Sequence, residues 1–233
     1  TTNTSTINWI AGDETQWDIV YGAATVTDPN TLTPINPAPS LTPEFTLTTL
    51  TENTSYNVWV RSICGNQNGA WIGPLTFKTN CLAVNAFEEN FDTTTYGNLP
   101  SCWTSVKNGD GVSADAYVKV INYDYNSENS AVRIYNHNSN ETTSNVMLIS
   151  PNVGNSAAGT HAVKFFAKSN DEAGSLQVGT VNNPSNSAVF TVLNTIALTA
   201  TYTEYTVNFG SYNGTDTFLA FRHNTNSSSS SVY

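Results

Sequence analysis

The chain has 233 residues, 39% of them hydrophobic and only 11% charged, with a net charge of −10 from 18 acidic and 8 basic side chains. That length admits two ordinary domains with packed cores, while the acidic balance and the lack of any basic stripe argue against nucleic acid and against adsorption to an anionic membrane. No apolar run approaches a bilayer span, so membrane insertion is not expected; Thr, Ser and Asn in place of charge suit strands and turns rather than helices.

Residues 1–79 read as short strands separated by turns. Thr6 to Trp9 begins as a strand, and Gln16 to Tyr21 places Trp17, Ile19 and Tyr21 on one face. Asp28 to Pro43 contains Pro29, Pro34, Pro37 and Pro39 as well as Pro43, the signature of a loop or interrupted edge. Phe45 to Leu50 is a further strand. Tyr56, Val58 and Val60 then alternate with Asn57, Trp59 and Arg61, and Gly73 to Thr79 closes the unit.

Trp9, Tyr21, the corner Leu50-Thr51-Glu52-Asn53-Thr54-Ser55-Tyr56, the Tyr56-Val58-Val60 alternation and Trp71 to Thr79 together resemble a fibronectin type III domain. The resemblance implies that the Tyr56 hydroxyl ties its strand to the preceding turn. It also implies a first strand longer than the residues before Trp9 supply, so that strand is expected to be missing or partial. Bacterial versions pair a cysteine at the head of that strand with one at the position of Cys64, whose partner would then lie outside the chain; an ordinary buried thiol is the alternative. There is no Arg-Gly-Asp, so integrin-type binding has no support.

Residues 80–86 form a short link expected to be stiff, since it holds Cys81 and no Gly/Ser tract. Alternation returns in 117–120, 131–134, 161–166, 175–178, 204–209 and 217–222, with turns rich in Asn, Ser and Gly. Many strands in this length indicate a jelly roll or related sandwich. Phe87 to Asp92, Leu99 to Trp103, Met147 to Pro151, Val163 to Ala167, Phe218 to His223 and Ser231 to Tyr233 occur in the order seen in the jelly-roll adhesin family, and the segment resembles its cleaved-adhesin, MAM-like and choice-of-anchor modules. That resemblance implies a final strand beyond Tyr233. The expected fold is therefore all-β: a fibronectin type III-like domain over 1–80 followed by a jelly-roll adhesin-like domain over 81–233.

Of the three cysteines, Cys81 and Cys102 both lie near the opening of the second domain. A bridge between them is the expected pairing and would close an about 20-residue loop, contributing roughly 3 kcal/mol; Cys64–Cys81 is the competing pair. Glu89, read as part of a strand, shares a face with Phe87 and Phe91. A bare carboxylate there is costly, so Glu89 is expected to be protonated, paired with Arg133 or Arg222, turned to a rim, or bound to a cation. Calcium needs several hard oxygen ligands, and the jelly-roll resemblance implies a structural calcium held by a terminal-strand glutamate. Asp110, in the tight turn Asn108-Gly109-Asp110-Gly111, is a further candidate ligand, with a plain turn as the alternative. Asp124, Asn126 and Glu128 are spaced like the start of an EF-hand loop, but Asn129 and Tyr135 stand where Gly and Glu are required, which rejects that motif.

Tyr123 and Tyr125 flank Asp124 beside Asn126. Aromatic rings next to amides and carboxylates suit sugar rings, so Tyr123, Asp124, Tyr125 and Asn126 form a candidate carbohydrate site; the alternative puts one tyrosine in the core and one on a rim. Trp103 reads as core. His137, His161 and His223 have no metal or catalytic spacing and read as surface histidines, and Gly154-Asn155-Ser156-Ala157-Ala158 falls short of a nucleophile elbow. Asp92-Thr93-Thr94 resembles the short O-glycan acceptor of secreted proteins that use type IX secretion, which makes Thr93 a candidate modification site.

These observations lead to a non-catalytic binding or adhesion region of a secreted or cell-surface bacterial protein, recognising a glycan or surface-protein ligand and accompanied by further domains of the same polypeptide. The alternatives are accessory modules of a secreted peptidase or glycosidase whose catalytic domain lies outside this chain, and a structural spacer of a surface fibre.

Overall fold

The computed structural model describes residues 1–35, 43–127, 129–137, 144–154, 156, 159–170, 174–185, 188–224 and 230–233. Pro37 and Pro39 of the proline-rich loop, Glu128 of the rejected EF-hand-like spacing, and Asn155, Ala157 and Ala158 of the elbow-like segment lie outside these ranges. The protein is all-β, with one short 3-10 turn at Pro29–Thr31 among the described residues, and it divides into two compact units, Thr1–Leu82 and Ala83–Tyr233.

In the first unit, β1 (Ser5–Asn8) pairs with β3 (Glu44–Leu47), while β2 (Trp17–Ala23) pairs with β4 (Ser55–Cys64), which also pairs with β5 (Gln67–Asn68) and β6 (Ile72–Lys78). Every pairing is antiparallel. Ile7, Ile19, Leu47, Leu50 and Val58 form the core between the two sheets. β3 stops at Leu47, short of the expected Leu50, and Thr49 adopts a left-handed φ of 59°. The chain then turns through Asn53, also left-handed, a conformation asparagine tolerates well. The Tyr56 hydroxyl accepts the Thr51 N–H at 2.9 Å, so the phenol ties β4 to the corner before it.

β2 is buried on both faces. Trp17 and Ile19 are buried, but so are Asp18 and Val20 from the opposite face. The reason lies across the ladder, where Asp18 faces Arg61 and Val20 faces Trp59. β4 buries Asn57 and Trp59 as well as Val58. Asn57 is fully used in this position: its amide donates to Ala24 and Val26 carbonyls, and its carbonyl accepts from Thr76 Oγ1.

The second unit contains β7 (Thr104–Asn108), β8 (Tyr117–Ile121), β9 (Ala131–Asn136), β10 (Asn145–Asn152), β11 (Ala162–Ala167), β12 (Ser175–Val181), β13 (Phe190–Ala197), β14 (Thr203–Asn208), β15 (Phe218–His223) and β16 (Ser230–Val232). A five-stranded sheet runs in the order β13-β12-β15-β10-β7, and two smaller sheets, β16-β9-β8 and β11-β14, complete the sandwich. Strict alternation in β8 and β9 sends Val118, Val120, Val132 and Ile134 inward to meet Leu148, Leu176, Val178 and Phe221.

The five-stranded sheet is apolar on both faces, because Val106, Met147, Ile149, Val181 and Ala220 form a second cluster with Phe190 and Phe218. β13 bulges at Leu193, opposite Val178–Gly179 of β12. A side chain at Gly179 would place its Cβ 2.0 Å from the Thr191 carbonyl oxygen, so only glycine allows this approach of the two backbones. Cys81 and Cys102 are disulfide-bonded, and Cys64 is a free, exposed thiol; with three cysteines in the chain, the bond is Cys81–Cys102.

Candidate functional site

The outward positions of β8 and β9 carry the chemistry of the second unit. Inward apolar residues leave Tyr117 and Lys119 on the outer face of β8, and Arg133 and Tyr135 on that of β9. The antiparallel register sets Tyr117 opposite Tyr135 and Lys119 opposite Arg133. The two tyrosine rings lie 5.1 Å apart. The Arg133 guanidinium sits 5.6, 5.1 and 5.4 Å from the centres of Tyr117, Tyr135 and Tyr233. Arg133 donates from Nε and Nη2 to Ser231 Oγ, at 2.9 and 2.6 Å, and from Nη1 to the Tyr123 hydroxyl at 2.9 Å. Lys119 Nζ lies 4.2 Å from the Tyr117 ring and 5.4 Å from that of Tyr96.

A third cation completes the group. Backbone exchange between Lys168 and Tyr233 anchors the end of β16 beside the segment after β11. Lys168 Nζ then lies about equally far from the rings of Tyr202 and Tyr233, at 5.0 and 5.1 Å, and pairs with Asp124 at 2.7 Å. The Tyr202 hydroxyl donates to the Asp124 carbonyl. Six tyrosines (96, 117, 123, 135, 202 and 233) therefore surround three cations. Tyr96 and Tyr123 are about half exposed.

Burial pushes the Tyr117 hydroxyl up to about 12, and burial followed by the Asp124 charge raises that of Tyr202. Both phenols stay neutral at physiological pH and can donate hydrogen bonds. Burial alone would lower the pKa of Arg133, but the Tyr123 hydrogen bond and the surrounding tyrosines outweigh it, and the net shift is upward. The guanidinium keeps its charge.

Behind this face a cavity of about 480 Å³ opens between the sheets, lined by Trp103, Ile134, Phe165 and Phe221 and reached by Tyr202 and Tyr233. Rings, hydroxyls and fixed cations here adjoin an apolar recess, a combination chemically able to contact a ring-bearing polar ligand.

Of the residues singled out from sequence, Tyr123 and Asp124 belong to this group. Tyr125 and Asn126 follow them in the same loop; both are exposed, and Asn126 also lines the cavity. Both loop tyrosines are exposed, rather than one core and one rim. Glu89 does not sit in a strand: residues 87–91 pair with no neighbour, and Phe91 takes a left-handed φ of 66°. Phe87 and Phe91 nevertheless pack edge-on against Trp103. Glu89 folds back instead, its Oε1 accepting the Phe91 N–H at 2.7 Å. It pairs with neither Arg133 nor Arg222; the latter donates to Gln177 and Asn145.

Asp110 is exposed in a turn beside Gly109. Among the described residues no three His, Cys, Asp or Glu side chains converge. One oxygen in the opening segment is left over: Asp92 Oδ1 is buried without a hydrogen-bond partner. Thr93 is exposed. His223 is buried, not at the surface as expected, and Ser156, also buried, donates to the Asp216 carbonyl and offers no nucleophile.

Sequence reasoning missed Tyr96, Tyr117, Lys119, Arg133, Tyr135, Lys168, Tyr202 and Tyr233. For four of them a signal existed, since aromatic and cationic residues fill the outward positions of two consecutive alternating strands.

No protein-family model and no curated protein matches this sequence. Among solved structures, the K2 cleaved adhesin domain of Lys-gingipain is 20% identical with a TM-score of 0.47, covering 63% of this chain and 93% of that one. A myokine structure is 25% identical with a TM-score of 0.29 over 34% of this chain and 85% of that one. A redesigned β-sandwich protein is 26% identical with a TM-score of 0.29 over 35% and 85%.

Proposed function

We propose that this chain is a non-catalytic ligand-binding region of an extracellular protein, and that the tyrosine–cation face of the second unit is its contact surface. One observation carries the reading: six tyrosines and three cations gather in one contiguous group, with Tyr96 and Tyr123 about half exposed. Tyrosine supplies a large contact area at low entropic cost and a polar handle, which suits recognition of glycans and proteins alike. The disulfide supports an oxidising, extracellular setting. In the first unit, the Tyr56–Thr51 corner and the antiparallel ladders support a fibronectin type III class, with a spacer or presenting role.

A glycan array and a surface-protein pull-down test this reading. A ligand is expected, with binding by Tyr117→Ala and Tyr135→Ala weakened at least tenfold, as for aromatic anchors at the centre of an interface. Ligand binding indifferent to both substitutions moves the site elsewhere, and no ligand at all leaves a spacer.

Structural calcium belongs to the same reading. Glu89 and Asp92 would supply carboxylate oxygens in the opening segment, Asp92 Oδ1 being the orphaned one, with backbone carbonyls making up the number. Chelation with EDTA is expected to lower the melting temperature, and calcium to restore it. An unchanged Tm removes the ion and leaves the binding face untouched.

A further inference from the structure

We infer that the tyrosine–cation face selects an anionic glycan, one bearing carboxylate or sulfate groups. The inference rests on the binding reading above and narrows it from any ligand to a charge class.

The chain carries 18 acidic and 8 basic side chains, yet three of the eight bases stand together here. Among the described residues Asp124 is the carboxylate beside them, and it pairs with Lys168. Neither Lys119 nor Arg133 forms an ion pair among the described residues. Among the described residues the face therefore holds three positive charges against one negative, on a protein whose total is −10.

Cations drawn partly out of water are ordinarily matched by anions of the same chain. Here Arg133 and Lys119 are matched by neutral hydroxyls and ring faces. Arg133 makes three hydrogen bonds, to Ser231 twice and Tyr123 once, so two of its five N–H donors remain without a partner among the described residues. A guanidinium with spare donors fits the paired oxygens of a carboxylate or sulfate. Lys119, between Tyr96 and Tyr117, adds a point charge on the same sheet face.

The overall negative charge does not forbid this. Screening at physiological salt acts over about 8 Å, so an anion touching Arg133 and Lys119 responds chiefly to those two charges rather than to distant acids. The same balance disfavours long, densely charged polyanions, which would run across the acidic remainder of the surface. A glycan fits better than an acidic peptide because the rings surrounding the cations offer flat apolar faces to sugar C–H groups.

Isothermal titration with three probes tests the inference: a sulfated heparin tetrasaccharide, an oligogalacturonate, and a neutral malto-oligosaccharide of equal length. Binding is expected for the sulfated probe, the uronate probe or both, at least tenfold tighter than for the neutral one and weakening as salt rises from about 50 to 500 mM. Lys119→Gln is expected to weaken it about threefold with an unchanged melting temperature, and Lys119→Gln with Arg133→Lys further, the lysine keeping charge but losing the fork.

Sulfate-only or uronate-only binding supports the inference and identifies the anion. Equal affinity for the neutral probe, lost in Tyr117→Ala, overturns the charge class while leaving the binding face in place. Binding insensitive to salt and to Lys119→Gln overturns it as well. Failure of all three probes, with a protein ligand captured and lost in Tyr117→Ala, overturns the glycan inference and again leaves the face standing.

Discussion

Replacing Trp103 with alanine is expected to destabilise the second unit by about 3–5 kcal/mol, the range for emptying an aromatic site in a core. Trp103 is 8% exposed and is held edge-on by Phe87 at 5.3 Å and Phe91 at 5.5 Å. These rings come from the opening segment, which has no ladder hydrogen bonds of its own. Trp103 therefore fastens residues 87–91 by packing, where a strand would be fastened by pairing. The indole also lines the cavity behind the tyrosine face, so its removal enlarges a space that is already imperfectly filled, and neighbouring side chains cannot close over it.

Hydrogen exchange resolves the effect by segment. Protection of the β8, β9 and β10 amides should fall in Trp103→Ala, while β2 and β4 in the first unit keep theirs. Trp103→Phe should recover more than half of the loss, since a ring remains for Phe87 and Phe91 to meet. A loss below about 1 kcal/mol, or one recovered by no aromatic, would show that the opening segment is held by something else.

The elements legible in the sequence are those whose two faces differ. β8 and β9 alternate cleanly, so Val118, Val120, Val132 and Ile134 announce both the strands and their inner face. β13 reads as nothing in particular, because its exposure follows no period of two; it bulges against β12 at Val178–Gly179 and partly covers the second apolar cluster through Phe190. β10 is buried on both faces and so lacks alternation altogether.

The site was legible only where it is local. Tyr123 and Asp124 are neighbours in one loop and could be read together. Lys168, Tyr202 and Tyr233 reach them only through pairings between distant segments, the Lys168–Tyr233 backbone exchange above all, and no spacing rule encodes that. Glu89 was misplaced for a related reason: the alternation of Phe87 and Phe91 correctly reports two inward rings, but the left-handed turn at Phe91 delivers them without a strand.

The first unit offers the second large effect, in Asp18→Ala. Asp18 and Arg61 face each other across the β2–β4 ladder. Asp18 Oδ2 accepts from Arg61 Nε at 2.8 Å and from Nη2 at 2.6 Å, and both side chains are largely buried. The guanidinium is further covered by Trp71, whose ring centre lies 4.3 Å away. Removing the carboxylate leaves a buried cation with its desolvation cost intact and its compensation gone, which is expected to cost about 3–5 kcal/mol.

The pair as a whole is worth far less than that, because bringing both charges out of water offsets most of their attraction. Asp18→Ala combined with Arg61→Met should therefore regain most of the lost stability, with methionine packing against Trp71 in place of the guanidinium. Urea unfolding of wild type, both single variants and the double variant closes the cycle. A coupling of about 2 kcal/mol or more is expected, and it should change little with added salt, since solvent ions screen a buried pair poorly. If Asp18→Ala alone costs under 1 kcal/mol, the pair is solvated in solution, and the burial of β2 on both faces must rest on Val20 and Trp59 alone.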